Sequence, residues 1–181
     1  AFLFRSQDLA HWQHVGLFYE SDRRWTEGDE DCAVPDFFPL GDKHMLLFCS
    51  HLQATQYYLG RLENERFIPE HHARMSWPGG QLGGPRTLAD ASGRRIFFDW
   101  IRELRGEEQE RASGWSGVMT LPRVLSLADE GTLRIDPVPE LEVLRMQPHV
   151  HRDIHLAAGA EIALDDIRGD CLELAVQIEP A

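Results

Sequence analysis

The sequence predicts an all-β fold on three observations. Short apolar and aromatic runs recur along the chain, for example Met45 to Cys49, Arg95 to Ile101 and Thr132 to Ile135. Fifteen glycines and ten prolines interrupt the 181 residues. No window of twelve or more residues keeps the i, i+3, i+4, i+7 apolar spacing of an amphipathic helix free of Gly and Pro. Many short strands separated by turn residues are typical of a β-sandwich or a β-propeller.

An internal repeat favours the propeller. Pro35 to Phe48 contains a proline, a short apolar strand, a tight turn with a glycine and an apolar return strand. Pro85 to Phe98, about fifty residues later, has the same order, and Tyr57 to Ile68 adds a second hairpin after the first copy. Two hairpins in about fifty residues make a four-stranded antiparallel sheet, which is one propeller blade. Chance similarity is the alternative, because strand–turn–strand units look alike in any β protein.

The predicted hairpins end before the C-terminus. Arg123 to Val138 is predicted to form a hairpin whose Asp129-Glu130-Gly131 turn supplies a glycine for the positive φ. Further on, the composition becomes histidine-rich, and one alternating strand follows at Cys171 to Ile178. We predict a partial propeller domain over residues 1–145 and, over residues 146–181, a linker with the first strand of a β-sandwich. Because the chain opens within a predicted strand and has no initiator Met, we expect the protein to extend beyond both ends of this sequence.

Composition and charge exclude some classes of partner. The formal net charge of −12 argues against nucleic acid, because phosphate binding needs clustered Lys and Arg, and against an anionic membrane surface. No apolar run approaches the roughly 20 residues of a membrane-spanning helix. Cys32, Cys49 and Cys171 are too few for a disulfide framework and form no Cys-x-x-Cys pair. An acidic surface suits a neutral oligo- or polysaccharide, and we predict no cofactor.

The most unusual segment lies directly before an apolar strand. It carries five carboxylates in ten residues, namely Glu27, Asp29, Glu30, Asp31 and Asp36. A glycosidase needs one carboxyl group that stays protonated near neutral pH, and a like-charged neighbour or an apolar wall raises the pKa of such a group. The segment is therefore a candidate catalytic site, and the alternative is a solvated acidic loop.

The sequence around this segment resembles a known family. Asp31-Cys32 followed by Pro35 to Phe38 resembles the Glu-Cys-Pro-Asp-Phe motif of glycoside hydrolase family 32, the invertase, inulinase and levanase group. Four other segments resemble that family in the same order, and together the five cover about residues 1–145: Leu3 to Trp12, Gly84 to Glu103, Trp115 to Arg123 and Pro137 to Arg145. Trp115 to Arg123 is similar to the family's Trp-x-Gly-x-x-Ser-Leu-Pro-Arg-Glu-Leu signature.

The resemblance implies a fold and a reaction. The fold is a five-bladed propeller with a central funnel, of which this chain would hold about the end of blade 2 to blade 5, joined to a C-terminal β-sandwich. The reaction is retaining hydrolysis of β-fructofuranosyl bonds in sucrose or fructans by two carboxylates about 5–5.5 Å apart.

The proton donor that the resemblance implies falls on one of two adjacent residues. Asp31 precedes Cys32 as the family's Glu does, whereas Glu30 keeps the side-chain type. Ala33 and Val34 are two extra residues that leave the register open, and strand alternation places Asp31 and Asp36 on opposite faces only if these two residues form a bulge. Both carboxylates remain candidates, and the second would help to raise the pKa of the first.

Candidate substrate-binding residues are Asp36, Trp77 and Trp100. The two tryptophans lie near predicted strand ends, where a propeller funnel is lined and sugar faces stack on aromatic rings. Trp77 is followed by Pro-Gly-Gly and is the better candidate for exposure. For Trp100 and Trp115 the alternative is packing between blades.

The sequence also departs from the family's pattern. Its Asn-Asp-Pro-Asn-Gly motif, which carries the nucleophile, and its Arg-Asp-Pro motif are absent from these 181 residues. Gln81 to Gly84 replaces Asp-Phe-Tyr-Ala, and Val124 replaces the Glu after Leu-Pro-Arg. A non-catalytic propeller that binds carbohydrate or protein is therefore the alternative to a hydrolase.

A metal-binding β protein is a third hypothesis. His149 and His151 share a strand face as a His-x-His pair, and His155 and Asp153 have the same parity. A polar interdomain loop explains the same residues, so no metal ligand is among the predicted site residues.

The 181-residue chain alone is predicted to be inactive, because it lacks the motif that carries the nucleophile. Incubation of the purified chain with sucrose and with inulin should release no fructose above the buffer control. Fructose release by the chain would contradict the prediction.

Overall fold

The computed structural model describes residues 1–77, 82–102, 104–146 and 148–179. Almost all regular structure in them is β, as predicted. The chain divides into a unit of Ala1–Val138 and a second unit of Pro139–Ala181. The elements in chain order are β1 Phe2–Arg5, β2 Gln13–Leu17, β3 Ala33–Leu40, β4 Lys43–Ser50, β5 Ala54–Glu63, β6 Arg66–Arg74, β7 Arg86–Ala89, β8 Arg95–Phe98, β9 Trp100–Ile101, α1 Glu107–Ser113, β10 Val118–Met119, β11 Arg123–Leu127, β12 Leu133–Pro137 and a 3₁₀ helix, Pro139–Leu144.

The two copies of the internal repeat open two four-stranded antiparallel sheets. One sheet has the strand order β3-β4-β5-β6, and the other has the order β12-β11-β8-β7. Both predicted copies form the first hairpin of their sheet, β3-β4 and β7-β8. The second sheet differs in one respect, because β9, α1 and β10 are inserted between β8 and β11. The prediction of repeated four-stranded antiparallel units is confirmed.

Strand β4 is buried on both faces and joins two cores. Met45 and Leu47 pack in a cluster with residues of the second sheet, among them Phe97. Leu46 and Phe48 face the other way, into an aromatic cluster that also contains Phe18, Tyr19, Tyr58 and Phe67. A strand covered on both sides has a continuous apolar sequence instead of an alternating one.

Helix α1 was not predicted from the sequence. None of its residues is buried, so the helix carries no apolar periodicity that would reveal it. It ends at Gly114, which has a left-handed φ of 74° and donates its N–H to the carbonyl of Glu110. No helix among the described residues is long and apolar enough to cross a membrane.

The second unit contains no strand within its described residues. The segment predicted as a strand, Cys171 to Ile178, is exposed and pairs with no strand among the described residues. An isolated strand cannot satisfy its backbone or bury a face. A β-sandwich in this region stays a prediction.

Gly60 lies at a register shift between β5 and β6 and leaves no room for a side chain. A Cβ atom there would lie 2.1 Å from the carbonyl oxygen of Ile68 and 2.8 Å from the Cα of Pro69. Both neighbours are backbone atoms, so the strands themselves would have to move apart.

Gly60→Ala is expected to lower the free energy of unfolding by about 1–3 kcal/mol, the usual cost of overpacking. Urea denaturation followed by fluorescence measures the change. Gly28→Ala is the matched control, since no atom lies within 4 Å of a Cβ at Gly28. Equal stability of the two variants would contradict the packing argument.

Candidate active site

The acidic segment between β2 and β3 turns so that one of its carboxylates points back at the sheet. The N–H of Glu30 donates to the carbonyl of Glu27 at 3.2 Å, and the N–H of Glu27 donates to Glu30 Oε1 at 3.1 Å. These two bonds close a short turn and fix one oxygen of the Glu30 side chain. Arg23 also ties the turn, because its Nη1 donates to the carbonyl of Glu27 at 2.7 Å.

The second oxygen of Glu30 is bound by a buried glutamine of β5. Nε2 of Gln56 donates to Glu30 Oε2 at 2.8 Å, and Oε1 of the same amide lies 2.8 Å from Nε2 of His72 on β6. Gln56 is only 2% exposed. Glu30 is half-buried and borders an open cleft of about 340 Å³, which Tyr19 and Arg23 also line.

The surroundings of Glu30 act on its pKa in opposite directions. Burial raises the pKa, while hydrogen bonds from Gln56, from the Glu27 amide and from Ser50, together with His72, lower it. The net effect is a lowered pKa, because the bonds to the ionised form outweigh the burial. In this chain Glu30 is therefore ionised near neutral pH.

Asp31 is held by a different part of the sheet. Its Oδ1 accepts the N–H of His51 at 2.9 Å, and its Oδ2 lies 2.7 Å from Nδ1 of the same histidine, in the turn between β4 and β5. The side chain is exposed, and Asp31 borders only a smaller cavity of about 50 Å³. The backbone bond from His51 is the main cause of a lowered pKa. Both pKa values are lowered in this chain, and the expectation that the second carboxylate raises the pKa of the donor stays a prediction.

A bulge lies at the two extra residues. The register of β3 against β4 shifts between Ala33 and Asp36, and Val34 has a φ of 46°. A left-handed φ in a β-branched residue is uncommon and is tolerated here at the irregularity. The two extra residues are thus accommodated where the acidic segment enters the sheet.

Asp36 links the two large sheets. Its Oδ2 accepts both the N–H and the hydroxyl of Thr87 on β7, each at 2.8 Å. In this arrangement the carboxylate is engaged by the protein itself, and its predicted role in substrate binding stays a prediction.

The tryptophans have different environments. Trp77 is 89% exposed. Trp100 is partly exposed, and a Cβ at Gly117 would lie 1.9 Å from its Nε1, so the indole rests against the Gly117 backbone. Arg105 stacks on the ring of Trp115 at 4.0 Å. The structure does not bring Trp77 or Trp100 to the lining of the cleft at Glu30 within the described residues.

Some residues used in the sequence argument lie outside the described ranges. They are Pro78, Gly79, Gly80, Gln81 and Glu103.

A buried carboxylate was not identified from the sequence. Asp99 is 2% exposed, and its Oδ2 has no hydrogen-bond partner among the described atoms. Burial raises the pKa of Asp99, and the Thr55 hydroxyl, the Trp100 N–H and the charge of Arg123 oppose the rise. Arg123 lies over the ring of Phe97 at 4.7 Å. Arg123 lies in the Leu-Pro-Arg segment, which the sequence could flag, but Asp99 carries no signal apart from its position after an apolar strand.

The histidines of the second unit meet one carboxylate. Nδ1 of His149 lies 3.4 Å and Nε2 of His151 lies 3.0 Å from Oδ2 of Asp166. Over the described part of the chain, no group of three or more His, Cys, Asp or Glu side chains has a metal-binding arrangement. The metal hypothesis therefore gains no support.

Comparison with known proteins relates the chain to carbohydrate-cleaving enzymes. The family model for the glycosyl hydrolases family 32 N-terminal domain matches residues 1–137. The chain is 30% identical to a sucrose-6-phosphate hydrolase of Vibrio alginolyticus, over 95% of this chain and 38% of that protein. It is 28% identical to a fructan 1-exohydrolase of Leymus chinensis, over 99% of this chain and 33% of that protein. The chain thus spans about a third of the length of the curated relatives it matches.

Solved structures show the same similarity. A family 32 β-fructofuranosidase of Bombyx mori superposes with a TM-score of 0.65 at 25% identity, over 81% of this chain and 33% of that chain. A mutant of the same enzyme in complex with sucrose gives a TM-score of 0.66.

Asp36→Ala is expected to lower the free energy of unfolding by about 1–3 kcal/mol, because it leaves the partly buried donors of Thr87 without their charged acceptor. Thr87→Val, which removes only the hydroxyl donor, should cost less. Asp42→Ala, in the exposed turn between β3 and β4, is the control and should stay within about 0.5 kcal/mol of the wild type. Chemical denaturation measures all three, and a neutral Asp36→Ala would contradict the link.

Proposed function

Since the chain belongs to glycosyl hydrolase family 32, we propose that it is part of a retaining β-fructofuranosidase-type hydrolase and that Glu30 is the proton donor. The family match confirms the resemblance inferred from the motifs. One observation supports Glu30 over Asp31: Glu30 borders the open cleft, held at both oxygens, whereas Asp31 is bound to His51 on the exposed turn.

The proposed role follows from the geometry of the carboxyl group. A general acid must present a proton to the oxygen of the leaving sugar from a fixed position. The bond from the Glu27 amide and the bond from Gln56 fix the two oxygens of Glu30 at the edge of the cleft. The second carboxylate of a retaining enzyme lies about 5–5.5 Å from the first. Its negative charge would raise the pKa of Glu30 and offset the lowering by Gln56.

The substrate class is proposed from charge and from the relatives. A net charge of −12 suits a neutral saccharide better than a phosphate-rich ligand. Two relatives, the fructan 1-exohydrolase and the sucrose-bound β-fructofuranosidase, have names that refer to fructose-containing saccharides. We propose sucrose or a fructan as substrate of the complete protein, without a cofactor.

The finer architecture is proposed with the function. The two four-stranded sheets correspond to two blades of a five-bladed propeller, and β1 and β2 belong to a preceding blade. The segment after residue 145 leads to a C-terminal β-sandwich. Asp36, Trp77 and Trp100 remain proposed substrate contacts, made once the remaining blades close the funnel.

Glu30→Gln and Asp31→Asn, each made in the complete gene product, test the proposal. Glu30→Gln should reduce kcat on sucrose by about 10²–10⁴-fold, because it removes the proton that the leaving oxygen needs. Asp31→Asn should leave kcat close to that of the wild type. Fructose release measures both.

An activated substrate separates a lost proton donor from a damaged site. p-Nitrophenolate leaves without protonation, so the p-nitrophenolate burst from p-nitrophenyl β-fructofuranoside should survive in Glu30→Gln. If Asp31→Asn shows the larger loss on sucrose, Asp31 is the donor and the assignment is overturned.

A further inference from the structure

Glu30, Gln56 and His72 form a continuous hydrogen-bonded chain from the cleft into the sheet. The two bonds of Gln56 are both 2.8 Å long, one to Oε2 of Glu30 and one to Nε2 of His72. The three residues come from the acidic segment, from β5 and from β6. They lie 26 and 16 residues apart in sequence, so only the folded sheet brings them together.

His72, the last residue of this hydrogen-bonded series, is held in place by aromatic packing. The ring of His72 stacks on Trp25 with ring centroids 6.0 Å apart and an interplanar angle of 20°. It also contacts the ring of Tyr58 at 5.1 Å, and Tyr58 lies in the aromatic cluster against β4. Because His72 cannot turn freely, the nitrogen that meets Gln56 is set by the fold.

The protonation state of Glu30 decides which atoms donate and which accept in the hydrogen bonds between Glu30, Gln56 and His72. An amide has one donor end and one acceptor end. When Glu30 is ionised, the NH₂ of Gln56 donates to it, and Oε1 of Gln56 accepts from the Nε2–H of His72. When Glu30 carries a proton and no leaving oxygen is in place to take it, its O–H needs an acceptor, which a flipped Gln56 provides through Oε1. The NH₂ of Gln56 then donates to Nε2 of His72, which must carry its proton on Nδ1.

A neutral imidazole can take either of these two tautomers. Burial lowers the pKa of His72, the charge of Glu30 opposes this, and His71 on the same strand lowers it further. Glu30 and the phenol of Tyr58 are the titratable groups that face the ring, while His71 acts on it from the opposite, exposed face of the strand. The lowered pKa keeps the imidazole neutral over more of the pH range in which both hydrogen-bond patterns are needed.

We propose that Gln56 and His72 are positioning residues that hold Glu30 at the cleft and let it gain and lose a proton with every polar atom still paired. The inference rests on the proposed role of Glu30 as proton donor. Glu30 must give up its proton in one step and regain it in the next. Neighbours that can hydrogen-bond to both protonation states of Glu30 therefore suit this role better than a group that can only donate.

The test uses shape-conserving variants of the complete gene product. Gln56→Met keeps the length of the side chain and removes its hydrogen bonds. His72→Phe keeps a ring on Trp25, and His72→Gln restores a group that can both donate and accept. His71→Phe, on the exposed face of the same strand, is the matched control.

The expected signature is a change in the pH profile of kcat/KM on sucrose. Gln56→Met and His72→Phe remove interactions that favour ionised Glu30, so the pKa of Glu30 rises and the basic limb of the profile moves to higher pH. A less well-placed donor should also reduce kcat by roughly 10- to 100-fold with little change in KM. His72→Gln should recover most of the loss, and His71→Phe should match the wild type.

Glu30→Gln, assayed in parallel, separates the two ways to fail. If Glu30→Gln abolishes sucrose hydrolysis while Gln56→Met and His72→Phe keep the wild-type basic limb and kcat, the positioning role is overturned and the proton donor stands. If Glu30→Gln keeps full activity, the proposed role of Glu30 as proton donor is itself overturned. Thermal melting verifies that each variant is folded. Should Gln56→Met or His72→Phe fail to fold, the other variant decides the outcome, because each removes a different hydrogen bond of the same series.

Discussion

The double-sided burial of β4 is the constraint on which the rest of the structure depends. Met45 and Leu47 anchor the strand to the second sheet, and Leu46 and Phe48 anchor it to the aromatic cluster. A strand held on both faces cannot slip in register, because a shift by one residue would exchange the two sets of side chains. Its neighbour β5 is therefore fixed as well, and with it the position of Gln56.

The same constraint explains why the adjacent carboxylates of Glu30 and Asp31 have such different surroundings. In an extended segment, successive side chains point in opposite directions. Glu30 points towards the buried amide of Gln56, and Asp31 points towards the turn that carries His51. The bulge at Val34 absorbs the two extra residues without changing the pairing of β3 with β4 beyond it.

The sequence predicts the fold better than the site, for physical reasons. Strands and turns are local patterns, so the two hairpins at Pro35 to Phe48 and Pro85 to Phe98 were found from spacing alone. Residues that act through long-range contacts leave no local pattern. Gln56 follows Thr55 and precedes the apolar run of Tyr57 to Leu59 in β5, and nothing near it indicates that it meets Glu30.

The failures have equally specific causes. Helix α1 has no buried face, so its sequence lacks the apolar periodicity by which a helix is recognised. The alternating segment at Cys171 to Ile178 has the composition of a strand, but strand formation requires a partner, and none pairs with it among the described residues. The choice between Glu30 and Asp31 was open because the motif can be aligned in two registers, and side-chain direction separates the two only once the sheet is built.

The buried carboxylate of Asp99 lowers the stability of the fold, because one of its oxygens has no hydrogen-bond partner among the described residues. Asp99 follows β8 directly and accepts the N–H of Trp100 at 2.7 Å through Oδ1, while Oδ2 has no partner in the described part of the chain. The Nε and Nη2 of Arg123 are also buried and unpaired there. A buried polar atom without a partner costs stability. The N–H of Asp99 donates to the hydroxyl of Thr120, so Asp99 lies where the β9-β10 excursion leaves the sheet and returns to it. The hydrogen bonds that Asp99 makes with Thr120 and Trp100 therefore fix the path of that excursion, and the path in turn sets where Trp100 emerges from the sheet.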